Sequence, residues 1–133
     1  MKAILFADGA ARGNPGPAGA GAVLLDAEGH VLAELTKNLG HATNNVAEYT
    51  ALIIGLEEAR RRGVDDIDIR MDSKLVVEQM SGNWKIKHPN MKPLALQAGQ
   101  LLASFSKRTI RHVPRDENVI ADALSNKAID DAV

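Results

Sequence analysis

The chain has 133 residues, of which 45% are hydrophobic and 25% charged, and its 16 basic and 17 acidic side chains give a formal net charge of −1. This composition excludes disordered, collagen-like and coiled-coil proteins, and the length fits one domain, residues 1–133, with a substantial core. No apolar run approaches the roughly 18 residues of a membrane helix, and the absence of cysteine excludes disulfides and thiolate sites. We therefore expect a monomeric cytoplasmic protein that binds no membrane.

Three apolar runs open the chain and predict strands. Residues 3–7 form a short buried strand that ends in a turn at Asp8 and Gly9. Residues 20–25 and 31–35 flank a polar, glycine-containing turn. This arrangement is typical of an antiparallel hairpin.

The next segment predicts the longest helix. Apolar residues recur at helical spacing from Ala47 to Ala59. Thr43 or Asn44 can cap its N-terminus, and residues 60–63 end it with three arginines and a glycine. Cations in the last turn also interact favourably with the helix dipole.

The rest of the chain alternates between strands and helices. Residues 67–71 predict a strand, and Ser73 caps a short helix. Another helix opens at residues 89–90, residues 109–113 predict the last strand, and a terminal helix begins near residues 116–118. The order β-β-β-α-β-α-α-β-α predicts an α/β fold: a five-stranded mixed sheet, three strands of it antiparallel and the others parallel, with helices on both faces.

Charge is unevenly distributed along this chain. The stretch from Gln79 to Arg115 contains seven cations and no acidic residue, so the remaining residues sum to −8. A protein that grips a polyanion with one face shows such segregation. A solvated basic face is the alternative, and the pattern by itself leaves both open.

Four acidic residues stand where the pattern favours apolar ones. Asp8 and Asp72 each end an apolar strand, and in open α/β sheets ligands bind at that edge. If the two strands are parallel neighbours, these carboxylates lie side by side. Glu48 shares a helical face with apolar residues one and two turns on, and Asp122 borders the apolar stripe of the last helix.

Each of these acids alone has a structural explanation, as a turn residue, a helix cap, a dipole partner or a surface residue. Together they would repel one another strongly at one sheet edge, and divalent cations with oxygen ligands relieve such repulsion. Two cations about 4 Å apart form the site of many phosphoryl-transfer enzymes. Phosphate-binding and dinucleotide loops are absent, and no histidine shows metal-ligand spacing.

Four segments resemble the motifs of type 1 ribonuclease H. They are residues 8–17 (DGAARGNPGP), 43–48 (TNNVAE), 71–73 (MDS) and 118–122 (NVIAD), and they extend from the first strand to the last helix. The resemblance implies a ribonuclease H-like fold. It also implies hydrolysis of the RNA strand of an RNA/DNA hybrid, leaving 5′-phosphate and 3′-hydroxyl ends.

The resemblance also assigns roles to residues. Asp8, Glu48, Asp72 and Asp122 are the expected catalytic residues and the ligands of two Mg2+ or Mn2+ ions, and Glu48 also contacts the 2′-hydroxyl that distinguishes RNA from DNA. Trp84 is expected in a channel for the DNA strand, with core packing as its alternative. The expected nucleic-acid contacts are Gly9, Asn14, Asn44, Asn45, Ser73, Trp84, Lys85, Lys87 and Asn118.

Two departures from the family pattern stand out. Longer bacterial members insert a basic helix after the tryptophan segment, and its absence here predicts weaker or more salt-sensitive hybrid binding. Many members also place a histidine in the loop before the last aspartate, whereas this chain has a shortened loop similar to that of archaeal members. By position Arg115 takes that place, in an electrostatic role. His112 is the alternative, although it fits better in the last strand.

The sequence therefore predicts a metal-dependent endoribonuclease acting on RNA/DNA hybrids. An inactive hybrid-binding module is one alternative, and a nuclease of the same fold acting on double-stranded RNA or branched DNA is another. A structural domain with solvated acids is a third.

Overall fold

A computed structural model describes residues 1–131. Its helices and strands follow the predicted order, with one additional 3₁₀ turn. They are β1 (Lys2–Ala11), β2 (Gly16–Asp26), β3 (Val31–Ala42), α1 (Asn44–Arg61), β4 (Asp66–Met71), α2 (Lys74–Met80), α3 (Lys92–Ala103), β5 (Lys107–His112), the 3₁₀ turn (Arg115–Glu117) and α4 (Val119–Asp130).

The five strands form one mixed sheet in the order β3-β2-β1-β4-β5. Strands β1, β2 and β3 pair antiparallel, whereas β4 runs parallel to both β1 and β5. Helix α1 packs on one face, where Gly55 lies against Leu5, and α4 packs on the other face, against Gly19 and Gly21. The predicted α/β class and the mixed sheet with helices on both faces are confirmed.

The strand that carries Asp8 is longer than predicted. Rather than ending in a turn at Asp8 and Gly9, β1 continues to Ala11, because it pairs with β2 as far as the partners Ala11 and Ala18. Strands β2 and β3 likewise extend beyond their apolar cores to residues 16 and 42. The extensions of β1 and β2 consist mainly of small residues and that of β3 mainly of polar ones, so hydropathy alone does not detect them.

The helix starts also differ from the predictions at some positions. Thr43, and not Asn44, caps α1, because its hydroxyl accepts a hydrogen bond from the backbone N–H of Val46. Helix α3 begins at Lys92, after the residues that the pattern favoured, and Pro93 stands in its first turn, where proline needs no hydrogen-bond partner. The expected Ser73 cap of α2 is present.

Two glycines of β2 let α4 lie directly on the sheet. A Cβ atom on Gly21 would stand 2.4 Å from the backbone nitrogen of Ser125, and one on Gly19 would stand 2.5 Å from its carbonyl oxygen. Any side chain at either position would push the helix away. In residues 1–131 no helix is both long enough and apolar enough to cross a membrane.

Candidate active site

Asp8 and Asp72 lie side by side where the parallel pairing of β1 and β4 ends. The last parallel pair joins Ala7 to Met71, so the next residue of each strand reaches the same edge. Asp8 is only 5% exposed. The side-chain nitrogen of Asn118 donates to the Ala7 carbonyl at 3.0 Å and to Asp72 Oδ1 at 2.8 Å. Asn118 therefore holds Asp72 against β1.

Glu48 reaches the same edge because α1 passes very close to β1. A Cβ atom on Gly9 would lie 2.2 Å from the carbonyl carbon of Ala47 and 2.3 Å from the nitrogen of Glu48, so only glycine allows this approach. Burial raises the pKa of Glu48 to about 7. A hydrogen bond from the Ser73 hydroxyl opposes that rise, and the charge of Asp72 adds to it.

Asp122 joins this group from the opposite face of the sheet. Gly21, on which α4 rests, is the antiparallel partner of Asp8, so the first turn of α4 brings Asp122 next to Asp8. Burial raises the pKa of Asp8 from 3.8 to about 8, with further contributions from its acidic neighbours. In decreasing order these are the charge of Asp72, a hydrogen bond with Asp122, the charge of Asp122 and the charge of Glu48. The four carboxylates thus form one electrostatic unit.

This donor set suits hard divalent cations. Carboxylate oxygens are their preferred ligands, and burial together with the neighbouring acidic groups raises the pKa of Asp8. Within residues 1–131 the single ion pair to any of the four is made by Arg115, whose Nη2 lies 4.0 Å from Asp122 Oδ1. Within residues 1–131, no three of these carboxylates bring oxygens within 4.8 Å of one another.

The four carboxylates line one open cleft of about 720 Å³. Its other walls come from the end of β1, the loop that follows it, the start of α1, Arg115 and α4. The lining residues are Asp8, Gly9, Ala10, Ala11, Arg12, Asn14, Asn44, Asn45, Glu48, Asp72, Arg115, Asp122 and Asn126.

Two polar lining residues, Arg12 and Asn126, were not among the residues predicted from the sequence. Arg12 pairs with Asp130 at 2.6 Å and also donates to Asn126, which ties the loop after β1 to α4. Asn126 lies one helical turn after Asp122 and donates to its carbonyl oxygen. The four-residue spacing from Asp122 was a signal for Asn126, whereas Arg12 had only its place within the first motif.

Three asparagines border the acidic group on the side of α1. Asn14 accepts a hydrogen bond from the Asn44 backbone at 3.1 Å, and Asn44 in turn accepts one from the Ala11 backbone at 2.8 Å. These bonds fix the loop after β1 to the start of α1. The side chain of Asn45 makes no hydrogen bond within residues 1–131 and is half-buried at the cleft.

Asn118, an expected nucleic-acid contact, is a buried residue with only 1% of its surface exposed. Its amide is committed to Ala7 and Asp72, so its effect on the cleft is indirect. Ser73 is also buried, and its hydroxyl serves the α2 backbone and Glu48. A single sequence gives little indication whether a polar motif residue faces a ligand or a neighbouring side chain.

The basic segment of Trp84, Lys85 and Lys87 lies outside the cleft, in the connection between α2 and α3. Trp84 is 44% exposed, so the core-packing alternative is wrong. The Lys74 ammonium lies 5.9 Å from the centre of its ring. No helix lies between Met80 and Lys92.

The structure separates the two candidates for the assisting residue. Arg115 lines the cleft and approaches Asp122, although its side chain is 82% exposed. His112 is the last residue of β5, paired with Met71, and does not line the cleft.

A second acidic group lies at the opposite end of the sheet. In the β2–β3 turn, Asp26, Glu28 and His30 bring ligand atoms within 4.8 Å of one another, so the expectation that no histidine has metal-ligand geometry is wrong for His30. Asp26 accepts hydrogen bonds from the backbones of Glu28 and His30, however, and these bonds account for the turn. The bond from His30 is the main cause of the lowered pKa of Asp26.

Comparison with known sequences identifies similar proteins along nearly the whole chain. A family model described as reverse transcriptase-like matches residues 6–128. The bifunctional protein Rv2228c of Mycobacterium tuberculosis is 52% identical over 133 residues, 99% of this chain, but the chain spans only 36% of that protein. Ribonuclease HI of Halobacterium salinarum is 49% identical over 127 residues, covering 96% of this chain and 64% of the relative.

Solved structures agree with these matches. RNase H1 from the same Halobacterium superposes with a TM-score of 0.95 at 47% identity, covering 99% of this chain and all of that chain. LC11-RNase H1, crystallised with an RNA/DNA hybrid, superposes with a TM-score of 0.92 at 43% identity, covering 98% of both chains.

Proposed function

The chain belongs to the ribonuclease HI family, and from this premise we propose that it is a metal-dependent endoribonuclease that cleaves the RNA strand of RNA/DNA hybrids. Its products are 5′-phosphate and 3′-hydroxyl ends. The observation that carries the proposal is the cleft in which Asp8, Glu48, Asp72 and Asp122 meet, with the pKa of Asp8 raised to about 8 by burial and by its acidic neighbours. Burying several carboxylates together costs free energy of folding unless they bind a cation or another ligand.

The proposed ligands of two Mg2+ or Mn2+ ions are these four carboxylates. When bound, the ions supply an activated water and stabilise the leaving oxygen of the phosphodiester. The carboxylates fit that role because they offer oxygen ligands whose negative charge is balanced, within residues 1–131, only by the long ion pair of Asp122 with Arg115. Asn118 and Ser73 support the fit, since they hold Asp72 and Glu48 in place by hydrogen bonds.

The asparagines of the cleft are suited to reading a hybrid without reading its sequence. Amide side chains both donate and accept, so Asn14, Asn44 and Asn45 can bind sugar hydroxyls and base edges in the minor groove. Glu48 lines the same cleft, which supports its proposed role as the acceptor of a hydrogen bond from a 2′-hydroxyl. An RNA strand lying across the cleft is therefore recognised by its sugar as well as by its phosphates.

The DNA strand is expected to bind beside Trp84. An exposed ring packs on a sugar or base, and Lys85 and Lys87 contact phosphates. This segment lies in the stretch from Gln79 to Arg115 that has no acidic residue, so the surrounding field attracts a polyanion.

We propose that Arg115 assists the reaction electrostatically and that His112 does not take part. Arg115→Ala is expected to lower kcat about tenfold to a hundredfold, because a cation near the reacting phosphate is lost, with little change in KM. Arg115→Lys should recover part of the rate, since the charge returns without the planar guanidinium. Steady-state kinetics on a short hybrid measures both values.

His112→Ala is the matched control for Arg115→Ala, as its side chain is exposed three residues earlier and away from the cleft. It should retain wild-type kcat. A large loss in His112→Ala, with Arg115→Ala unaffected, would reverse the assignment.

The test of the function is cleavage of an RNA/DNA hybrid labelled on one strand or the other, with Mg2+ or Mn2+. We expect cuts in the RNA strand alone, at many sequence positions, and none after Asp72→Asn. Parallel reactions with double-stranded RNA, branched DNA and double-stranded DNA define the substrate range. Binding of the hybrid without cleavage under either metal would contradict the proposal and favour a binding module.

A further inference from the structure

We infer that the buried pair Tyr49 and Gln79 is a positioning device for the basic segment Trp84 to Lys87. The inference rests on the proposed function, in which this segment binds the DNA strand. It assigns to two residues outside the cleft the task of setting the distance between the helix that carries Glu48 and the surface that holds the second strand.

The contacts form a continuous chain. Tyr49 follows Glu48 on α1, is fully buried, and donates its hydroxyl to Gln79 Oε1 at 2.6 Å. Gln79, on α2 and 6% exposed, donates its amide nitrogen to the backbone carbonyl of Lys85 at 3.2 Å. The amide thus uses its acceptor on one side and its donor on the other, so its orientation is fixed by both partners.

The segment has few other attachments. Within the described part of the chain, the bond from Gln79 is the sole hydrogen bond to residues 85–87. Just before them, the Trp84 backbone donates to the carbonyl of Glu78, and Ile86 packs partly on the core. Losing the Gln79 bond would leave the two lysines attached mainly by a single apolar contact.

A purely structural role would explain the hydrogen bond from Tyr49 to Gln79 but not the one from Gln79 to Lys85. A buried tyrosine hydroxyl needs an acceptor, and any nearby carbonyl would satisfy it. Here the acceptor is a side chain whose other end holds an exposed, otherwise weakly attached basic segment. Buried amides that are fully satisfied on both sides specify one geometry rather than merely filling space.

Tyr49→Phe tests the inference because it removes only the hydroxyl and keeps the ring. Trp84 is the only tryptophan of the chain, so its fluorescence reports on the segment without substrate. We expect iodide quenching of Trp84 to rise about twofold, KM for the hybrid to rise about three- to tenfold, and kcat to stay within about a factor of two, as for the loss of one hydrogen bond. Gln79→Met, which removes both bonds, should shift the same quantities further.

Thr50→Val is the matched control. Thr50 is the next residue of α1, and its buried hydroxyl bonds to the Val46 carbonyl within the same helix. This variant should leave both Trp84 quenching and KM unchanged. An equal shift in Thr50→Val would show a general loosening of α1 and would overturn the inference.

A double-mutant cycle isolates the route of the effect. If Tyr49 acts through the lysines, Tyr49→Phe should add little to the KM of a chain that already carries Lys85→Ala and Lys87→Ala. Full additivity of the two effects, or unchanged quenching and KM in Tyr49→Phe and Gln79→Met, would overturn the inference. Absence of cleavage by the wild type would refute the proposed function, and the quenching comparison would still decide whether the pair holds the segment.

Discussion

Asp8→Asn is expected to lower hydrolysis of the hybrid by more than about a hundredfold while raising the free energy of unfolding of the metal-free protein. The rate falls because a proposed metal ligand at the centre of the cleft loses its charge. Even substitution of a residue that only hydrogen-bonds to a metal ligand lowers metal affinity or activity about tenfold to a hundredfold. Stability rises because the removed charge is buried beside Asp72, Asp122 and Glu48, all of the same sign. Removing such repulsion commonly trades activity for stability.

The gain in stability should depend on pH. Asp8 has a pKa of about 8 in the folded protein against 3.8 when unfolded, so the folded state binds more protons between these values. The free energy of unfolding of the wild type therefore falls as pH rises from about 4 to 8. Asp8→Asn lacks the part of this decrease that comes from deprotonation of Asp8. At pH 8 we expect the variant to be more stable by more than about 1 kcal/mol, since one pKa unit corresponds to about 1.4 kcal/mol.

Urea unfolding of both proteins at pH 5 and pH 8, with a chelator and then with Mg2+, measures the effect. Mg2+ should stabilise the wild type at pH 8 and the variant much less. Glu34→Gln, an exposed acid on β3, is the control and should change neither stability nor its response to Mg2+. A variant less stable than the wild type at pH 8 would show that Asp8 is not under electrostatic strain.

Gly9→Ala is expected to destabilise the protein by about 3 kcal/mol or more and to impair hydrolysis as well. The added Cβ would meet the backbone of Ala47 and Glu48 at 2.2 and 2.3 Å, and the helix backbone cannot move aside without carrying Glu48 with it. Overpacking of a rigid contact costs about 1 to 3 kcal/mol, occasionally more. The denaturation midpoint and kcat should fall together.

Gly99→Ala separates this steric effect from the general effect of replacing glycine. Gly99 lies inside α3, and an added Cβ there meets nothing within 4 Å. We expect it to stabilise the protein by about 0.5 to 1 kcal/mol, because alanine loses less backbone entropy in a helix. If Gly9→Ala were as stable as Gly99→Ala, the close approach of α1 to β1 would not require a glycine at position 9.

The acidic cluster was predictable because its signal is local. Asp8 and Asp72 each end an apolar strand, Glu48 shares a face with apolar residues of its helix, and Asp122 borders an apolar stripe. A charge at such a position is visible without knowing the neighbours. The side-by-side placement of Asp8 and Asp72 followed on the condition that their strands are parallel neighbours, since parallel strands end at a common edge. The extent of β1 was missed because pairing with β2, and not hydropathy, carries the strand through Asp8 and Gly9.

The sequence by itself determined the α/β class, the order of strands and helices and the four acidic positions, because periodicity and misplaced charges are properties of single segments. Only the tertiary structure decided which polar residues face the cleft. It buried Asn118 behind Asp72, brought Arg12 and Asn126 to the wall, and chose Arg115 over His112 as the cleft residue. Those outcomes depend on close contacts between segments that are distant in the sequence, such as Gly9 against α1 and Gly21 against α4. Such contacts arise only when the segments pack together in three dimensions.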